Sequence, residues 1–366
     1  MVVVFQSVVI LCVAGKRDEL VQTRRVVQAW RGMRKLPRSL GIKDGCACVL
    51  IGLFRCGQNR VHAFHLHPSS TRPGSSAFLL LTLSCVFLGV ALSWHAVPHD
   101  ATWWLHVGLV LLGGLAAHVS VNALNEYMDF KVGLDQTTQR TPFSGGSGVL
   151  PSRPDLAAYT LMLGVGTLLM TVWVGFYFLW AVPGARLPLL MLGGLGVVLV
   201  AIYTPWLTRR PWLCLVAPGL GFGPAMVLGT QVVLTGQWSW AGVLASLVPF
   251  FMVNNLLLLN QFPDVEPDRR AGRLTLPMVL GLRGSVQVIG AQWGLASAVV
   301  VLAVLLGVWP QQVVWGLVWV PLAAWAWRQL RSFVRSPQGV VPPCMAINVV
   351  LSLLSPVVLG LALMTV

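Results

Sequence analysis

Asn125-Glu-Tyr-Met-Asp129-Phe-Lys-Val-Gly-Leu-Asp135 and Asn260-Gln-Phe-Pro-Asp264-Val-Glu-Pro-Asp268 each close a long uncharged apolar run, and together they hold six of the eleven carboxylates in the chain. Burying an unpaired carboxylate is expensive, so acids at helix ends near a bilayer imply a cation or a reaction that needs them. Two such segments imply bound cations.

The runs that precede them set the fold class. The chain has 366 residues, is 56% hydrophobic and 10% charged, and has a mean hydropathy of +0.76. Soluble domains do not carry repeated uncharged stretches long enough to cross roughly 30 Å of hydrocarbon. The pattern predicts an all-α polytopic membrane protein with nine transmembrane helices, near 76–95, 102–127, 156–180, 186–205, 212–235, 239–262, 284–308, 311–328 and 342–365.

A formal charge of +14 raises nucleic acid as a partner, but the placement of the basic residues argues against it. Twelve of the 25 precede Phe78. Of the rest, Lys131, Arg140, Arg153, Arg209, Arg210, Arg269, Arg270, Arg273, Arg283, Arg328, Arg331 and Arg335 fall in loops after even-numbered spans, and only Arg186 falls on the other side. The positive-inside rule therefore puts both acidic segments in the cytoplasm, with the lipid bilayer as partner and no nucleic acid. Trp103, Trp104, Trp206, Trp212, Trp238, Trp240, Trp309 and Trp315 sit near predicted span ends, where an indole anchors at the interface.

Residues 1–71 differ from the rest: a thirteen-residue apolar start, Met1 to Val13, then a basic stretch through Lys43. The apolar run is short for a span and no cleavage site follows it. It reads equally as a peripheral helix or as non-native sequence ahead of a later start, which leaves 72–366 as the membrane domain. The seven cysteines form no disulfide framework and fit a reduced compartment. Cys46, Cys48 and Cys56, followed by His62, His65 and His67, match no zinc spacing.

Asn-x3-Asp-x5-Asp after the second span and Asn-x3-Asp-x3-Asp after the sixth form an internal repeat on one side of the membrane, so two halves converge on one site. The connection between Met128 and Asp155 contains Thr141-Pro-Phe-Ser-Gly-Gly-Ser-Gly148, a glycine-rich stretch expected to cover the site. Helical spacing places Asn125 with Asp129, and Asn260 with Asp264 and Asp268, on shared faces, whereas Glu126 and Glu266 point off them. Carboxylates and an amide in a half-open cluster suit Mg²⁺, a hard ion usually completed by substrate phosphates. The expected substrate is a diphosphate, with Arg140, Arg209, Arg210, Arg269, Arg270 and Arg273 as candidate phosphate contacts.

The two segments resemble the paired aspartate motifs of the UbiA superfamily of intramembrane prenyltransferases over roughly residues 72–366. Asn125-Glu126-x-x-Asp129-x-x-x-Gly133-x-Asp135 resembles the form of the 1,4-dihydroxy-2-naphthoate prenyltransferase (MenA-like) branch. Asp264-Val-Glu-Pro-Asp268-Arg-Arg-Ala-Gly272-Arg-Leu-Thr275 resembles the second motif, and Tyr203-Thr-Pro-Trp-Leu-Thr-Arg209-Arg210 is similar to a tyrosine-to-basic segment between spans four and five. Glu126 stands where Asp is common, and Pro218-Gly-Leu-Gly-Phe222 lacks the acid that the family carries there.

The resemblance implies a nine-helix bundle around a central cavity in a bacterial inner membrane, and Mg²⁺-dependent transfer of a polyprenyl group from polyprenyl diphosphate to an aromatic acceptor on a menaquinone-type route. Asp129, Asp135, Asp264 and Asp268 are the implied catalytic residues and, with Asn125, the metal ligands. Asn125, Arg140, Tyr203, Arg209, Arg210, Asn260, Arg269 and Arg273 are the implied substrate contacts. A 4-hydroxybenzoate or other aromatic or lipid acceptor is the alternative within the class. An ion-coupled transporter is the rival outside it, but its acids belong near the bilayer midplane rather than at span ends. The Asp-Gly-x2-Ala-Arg signature of CDP-alcohol transferases is absent, and a non-catalytic scaffold predicts no metal-dependent turnover. His118, within the second span, reads as a packed residue rather than a base.

Overall fold

The computed structural model describes residues 73–134, 146–335 and 342–365. The extension 1–71 with its cysteine–histidine set, Asp135, Arg140 and most of the expected glycine-rich cover lie outside the described residues. Among the described residues all regular structure is helical. The helices are α1 (Pro73–Ser93), α2 (Ala101–Lys131), α3 (Ala157–Ala181), α4 (Arg186–Ile202), α5 (Pro211–Leu220), α6 (Gly229–Thr235), α7 (Trp240–Asn260), the short α8 (Val265–Arg270), α9 (Leu276–Leu305), α10 (Val320–Arg335) and α11 (Pro342–Met364).

Seven stretches are long and apolar enough to cross a bilayer: Ala101–Lys131, Pro154–Ala181, Pro183–Ile202, Pro211–Thr235, Trp240–Asn260, Leu276–Leu305 and Pro343–Met364. The protein is an integral membrane protein. Two of the nine expected spans fall short of that standard. Of α1, the stretch Leu79–Ser93 counts as a shorter apolar helix among the described residues, and α10 has 16 residues with Arg328, Arg331 and Arg335 in its second half, which makes it amphipathic rather than uniformly apolar.

Local chemistry explains several boundaries. Asp100 caps α2 by accepting from the Trp103 amide at 2.8 Å, and Ser239 caps α7 by accepting from the Gly242 amide at 3.0 Å. Pro218 and Pro224 cannot donate to the helical ladder, and between α5 and α6 the chain relaxes into a π-helical stretch over Gly221–Leu228. Gly219 and Gly223, one turn apart, allow this broken helix to press on α7: a Cβ at Gly219 would lie 2.4 Å from the Phe250 carbonyl, and one at Gly223 2.4 Å from the Ser246 carbonyl.

Helix α7 is the centre of the bundle: 67% of its apolar window is buried, against 6% for the Pro183–Ile202 stretch. Its polar residues are bound across helices. The Asn255 side chain donates to the Ile289 carbonyl and accepts from Gln292, both at 3.0 Å, while Asn348 on α11 donates to the Asn255 carbonyl at 2.8 Å. In an apolar medium these bonds hold α7, α9 and α11 in one register. A core of Leu258, Leu259, Ile289, Trp293, Leu330 and Leu351 surrounds them.

Candidate active site

Helix α2 stays regular through Lys131, so Asn125 and Asp129 lie one turn apart on the same face as expected. The Asn125 amide donates to Asp129 Oδ2 at 3.0 Å, and its oxygen accepts from Thr204 Oγ1 at 3.0 Å. Asn125 thus aims the Asp129 carboxylate and ties α2 to the segment after α4. Thr204 and Thr208 were not expected in the site. Thr208 donates to the Thr204 carbonyl, and its own carbonyl accepts from the Leu274 amide at 3.0 Å, which fastens the Tyr203 segment to the loop of the second motif.

The second motif does not lie on one helical face. Helix α7 ends at Asn260, the chain turns through Gln261–Asp264, and α8 begins at Val265. Pro263 disfavours helical geometry at Phe262 and accounts for the break. Asp264 and Asp268 remain a turn apart, with the Asp268 amide donating to the Asp264 carbonyl at 2.9 Å. After α8, Gly272 at φ +72° lets the chain reverse and present Arg273 to the acids.

Arg273 joins the two motifs. One arm of its guanidinium pairs with Asp129 Oδ1, and the other reaches Asp268 Oδ1 at 3.2 Å. Asp129 and Asp268 are buried, with residue exposures of 7% and 5%, so both acidic segments meet within the span of one planar side chain. Arg273, expected to bind phosphate, is engaged by the protein's own acids. Burial alone would lower the pKa of its guanidinium, but the attraction of Asp129 and Asp268 outweighs that and raises it.

Asp264 sits beside this pair. Burial, then repulsion from Asp268 and Asp129 against the attraction of Arg273, pushes its pKa up to about 7. Burial also raises the pKa of Asp268, with Arg273 opposing. Among the described residues Asp264 Oδ1 and Asn260 Oδ1 are buried without a hydrogen-bond partner, which marks them as oxygen donors awaiting an electrophile. No three Asp, Glu, His or Cys side chains converge as a ready-made metal cage among the described residues. The donors are hard oxygens in pairs, which suits Mg²⁺ completed by water and substrate oxygens better than an enclosed ion.

The remaining expected residues fall in different places. Tyr203 caps the end of α4, its hydroxyl 4.0 Å from Cys214 Sγ, and burial holds the phenol protonated by raising its pKa far above the usual value. Arg209 and Arg210 are exposed, Arg210 lying over the Trp206 ring at 4.3 Å. Arg269 is also exposed and pairs with Glu266 at 3.4 Å, outside the buried acid cluster. Glu126, off the metal-facing side, accepts from Ser147.

Beneath the acids lies a cavity of about 810 Å³, lined by α1 to α5, the π-helical stretch, α6 and α7. Asn125, Tyr203 and Asn260 stand at its polar end, and Leu, Val and Gly residues with Phe222 and Met226 form most of the remaining wall. His118 lies in that wall with Nδ1 2.9 Å from Thr82 Oγ1 and its ring edge-on to Phe222, a satisfied, packed histidine as expected. The arrangement has the shape needed for an amphipathic substrate with an anionic head and a long apolar tail.

Comparison with known proteins supplies the family. The UbiA prenyltransferase family matches residues 82–350. Relatives include 1,4-dihydroxy-2-naphthoate octaprenyltransferase of Bacillus subtilis strain 168, 29% identical over 61% of this chain and 69% of that protein. The protein of the same name from Mycobacterium tuberculosis H37Rv is 28% identical over 64% of this chain and 77% of its own length. Protoheme IX farnesyltransferase of Pyrobaculum neutrophilum is 30% identical over 45% of this chain and 54% of that protein. In fold, the chain resembles the apo UbiA homolog from Aeropyrum pernix K1, with a TM-score of 0.57 at 16% identity over 79% of this chain and 97% of that one. It also resembles a UbiA homolog from Archaeoglobus fulgidus bound to GPP and Mg²⁺, with a TM-score of 0.55 at 13% identity over 81% of this chain and 99% of that one.

Proposed function

The chain belongs to the UbiA prenyltransferase family and is a prenyltransferase, and on that premise we propose that it transfers a polyprenyl group from a polyprenyl diphosphate to a naphthoate-type aromatic acceptor on a menaquinone route. The observation that carries the reading is the meeting of Asp129 and Asp268 on Arg273, with Asn125, which donates to Asp129, lining an apolar cavity of about 810 Å³. The names of the bacterial relatives favour the naphthoate acceptor over 4-hydroxybenzoate.

In this reading Asp129, Asp264 and Asp268, with Asp135, would hold Mg²⁺, whose charge would supply neutralisation for a diphosphate leaving group. Asn125 keeps the Asp129 carboxylate in place through its bonds to Asp129 and Thr204. Arg209 and Arg210, exposed beside the Tyr203 segment, guide and clamp phosphate oxygens together with Arg140. Tyr203 and Asn260 flank the reacting carbon at the cavity mouth. The apolar wall holds the tail and keeps water from the allylic cation that forms as the C1–oxygen bond breaks. The acceptor's ring carbon then bonds to C1, and the ring regains aromaticity by losing carbon dioxide from a carboxylate-bearing carbon, or a proton where that carbon carries hydrogen. No side-chain nucleophile is needed.

The site faces the cytoplasm of a bacterial inner membrane, the first and eighth expected spans complete a nine-helix frame, and residues 72–366 carry the activity without 1–71. The test is release of labelled diphosphate from polyprenyl diphosphate by the purified full chain, with 1,4-dihydroxy-2-naphthoate or 4-hydroxybenzoate, in Mg²⁺ or in excess EDTA. Mg²⁺-dependent release with the naphthoate alone is expected. Turnover that persists in EDTA would refute the site, and turnover with 4-hydroxybenzoate alone would refute the acceptor.

A further inference from the structure

The second half of α10 presents basic charge for which the described residues supply no carboxylate partner. Residues 269–366 contain seven arginines and no aspartate or glutamate. Arg269 and Arg273 find acids in the second motif, but among the described residues Arg283, Arg328, Arg331 and Arg335 have no carboxylate partner.

Arg283 lies in the early part of α9, and the other three lie in the second half of α10. Trp327 seats its indole against α9, donating Nε1–H to the Val286 carbonyl at 3.1 Å in a notch that exists because residue 290 is glycine; a Cβ there would lie 2.3 Å from the indole nitrogen. That contact is about 22 Å back along α9 from Leu305, so α10 has returned towards the side on which α9 begins, the side of the acidic loops. Arg331, one turn beyond Trp327, stacks over that ring at 4.8 Å and comes level with the α9 turn that bears Arg283. Ala323, Ala326 and Leu330 bury the opposite face of α10 in the core. The exposed stripe reads Trp325, 44% exposed, then Arg328, Ser332 and Arg335. An apolar indole followed within a turn by arginines is the order of a helix that leaves hydrocarbon and enters a headgroup layer.

We infer that the rim formed by Arg283, Arg328, Arg331 and Arg335 is a docking site for anionic phospholipid headgroups. The occupant is argued from charge complementarity and position: four arginines without a carboxylate partner among the described residues, next to an exposed indole on the same helix, call for a membrane-bound anion rather than a soluble one. The site is separate from the catalytic cavity, which lies between α1 and α7, and the inference does not rest on the acceptor or the metal.

The experiment purifies the full chain, exchanges it into phosphatidylcholine nanodiscs or micelles with a minor fraction of phosphatidylglycerol, and measures the lipid retained per protein by native mass spectrometry. Wild-type protein should be enriched in phosphatidylglycerol over the bulk ratio. The double variant R328Q/R335Q removes two exposed side chains that take no part in packing and should fall at least about fivefold in enrichment, since one arginine near an anionic surface contributes roughly a fivefold preference. R331Q added to that pair should bring retention to the bulk ratio. R153Q, which removes an arginine already paired with Asp155 at 2.9 Å, should retain the wild-type value. Unchanged enrichment in R328Q/R335Q would overturn the inference, as would displacement of the lipid by inorganic phosphate at matched concentration, which would assign the rim to a soluble anion.

Discussion

Replacing Arg273 with glutamine should destabilise the metal-free protein more than the loss of one surface cation would, and Mg²⁺ should restore the difference. The guanidinium is the link between Asp129 and Asp268, and its side chain is only 16% exposed. At 3.2 Å from Asp268 Oδ1, with an effective dielectric constant of about 20, the attraction is roughly 5 kcal/mol for that pair alone. Desolvation of the arginine offsets part of it, and removing one partner of a buried pair leaves the other charge uncompensated. A net loss of about 2–4 kcal/mol is expected, an apparent Tm lower by roughly 5–10 °C for a domain of this size. The assay is thermal unfolding in mild detergent followed by tryptophan emission, for wild type, R273Q, D129N and the double variant, each in EDTA and in Mg²⁺. In EDTA the double variant should be more stable than R273Q, because neutralising Asp129 relieves the repulsion that R273Q exposes; the cycle should show coupling of 1 kcal/mol or more. Equal stability of R273Q and wild type in EDTA, or additive effects of the two changes, would refute the bridging role.

The raised pKa of Asp264 fixes a second outcome. Its folded value of about 7 lies above the ordinary 3.8, so the folded state holds a proton that the unfolded state has released. Metal-free stability is therefore fully present below about pH 4 for this group and is lost as pH rises through 7, by on the order of 2–4 kcal/mol; thermal scans between pH 5 and 8 should show the fall, D264N should flatten it, and Mg²⁺ should stabilise most at the alkaline end. Asp129→Ala and Asp264→Ala should each lower kcat by at least about a hundredfold while the protein remains in the membrane with native helical circular dichroism. Near-normal turnover in both would discredit the assignment. Asn255→Leu leaves Gln292 and the Ile289 carbonyl without their partner, so a loss of about 1–3 kcal/mol in detergent unfolding is expected, with Mg²⁺ affinity by calorimetry unchanged because the knot lies below the acids.

What could be read from the residues, and what could not, divides by distance along the chain. Asn125 and Asp129 were legible because the helical period runs unbroken through both. Asn260, Asp264 and Asp268 were misread as one face because the same period was carried across Pro263, where the helix in fact stops. The Arg273–Asp129 contact joins residues 144 apart and the Thr204–Asn125 bond residues 79 apart, and no local pattern encodes either. Arg273 looked like one phosphate ligand among several. Only tertiary packing, with Gly272 reversing the chain, shows that its guanidinium pairs with Asp129 and Asp268. The eighth expected span differs in kind from the long apolar ones: after the apolar stretch Trp319-Val-Pro-Leu-Ala-Ala-Trp325-Ala-Trp327, the arginines of its second half make the 16-residue α10 amphipathic.

Charge balance connects the fold to the chemistry. Asp129, Asp264 and Asp268 would carry three negative charges if all were ionised, against one on Arg273, and all four side chains are largely withdrawn from water. Alone, the protein resolves the excess by keeping Asp264 protonated near neutral pH, driven first by burial and then by its neighbour Asp268. In the proposed function that resolution would fail on entry of the anionic headgroup, because a diphosphate would add negative charge to a cluster already short of cations. Arg209 and Arg210 stand exposed beside the site and can steer such a ligand, but exposed charges are screened and cannot neutralise buried ones. A divalent cation held by Asp129, Asp264 and Asp268, as proposed above, would meet both needs, since its charge would favour the ionised form of Asp264 and offset the charge of the headgroup. On the proposed function, the carboxylates that repel one another in the metal-free protein would favour joint binding of cation and donor, and the excess charge that the sequence concentrates at two helix ends would drive it.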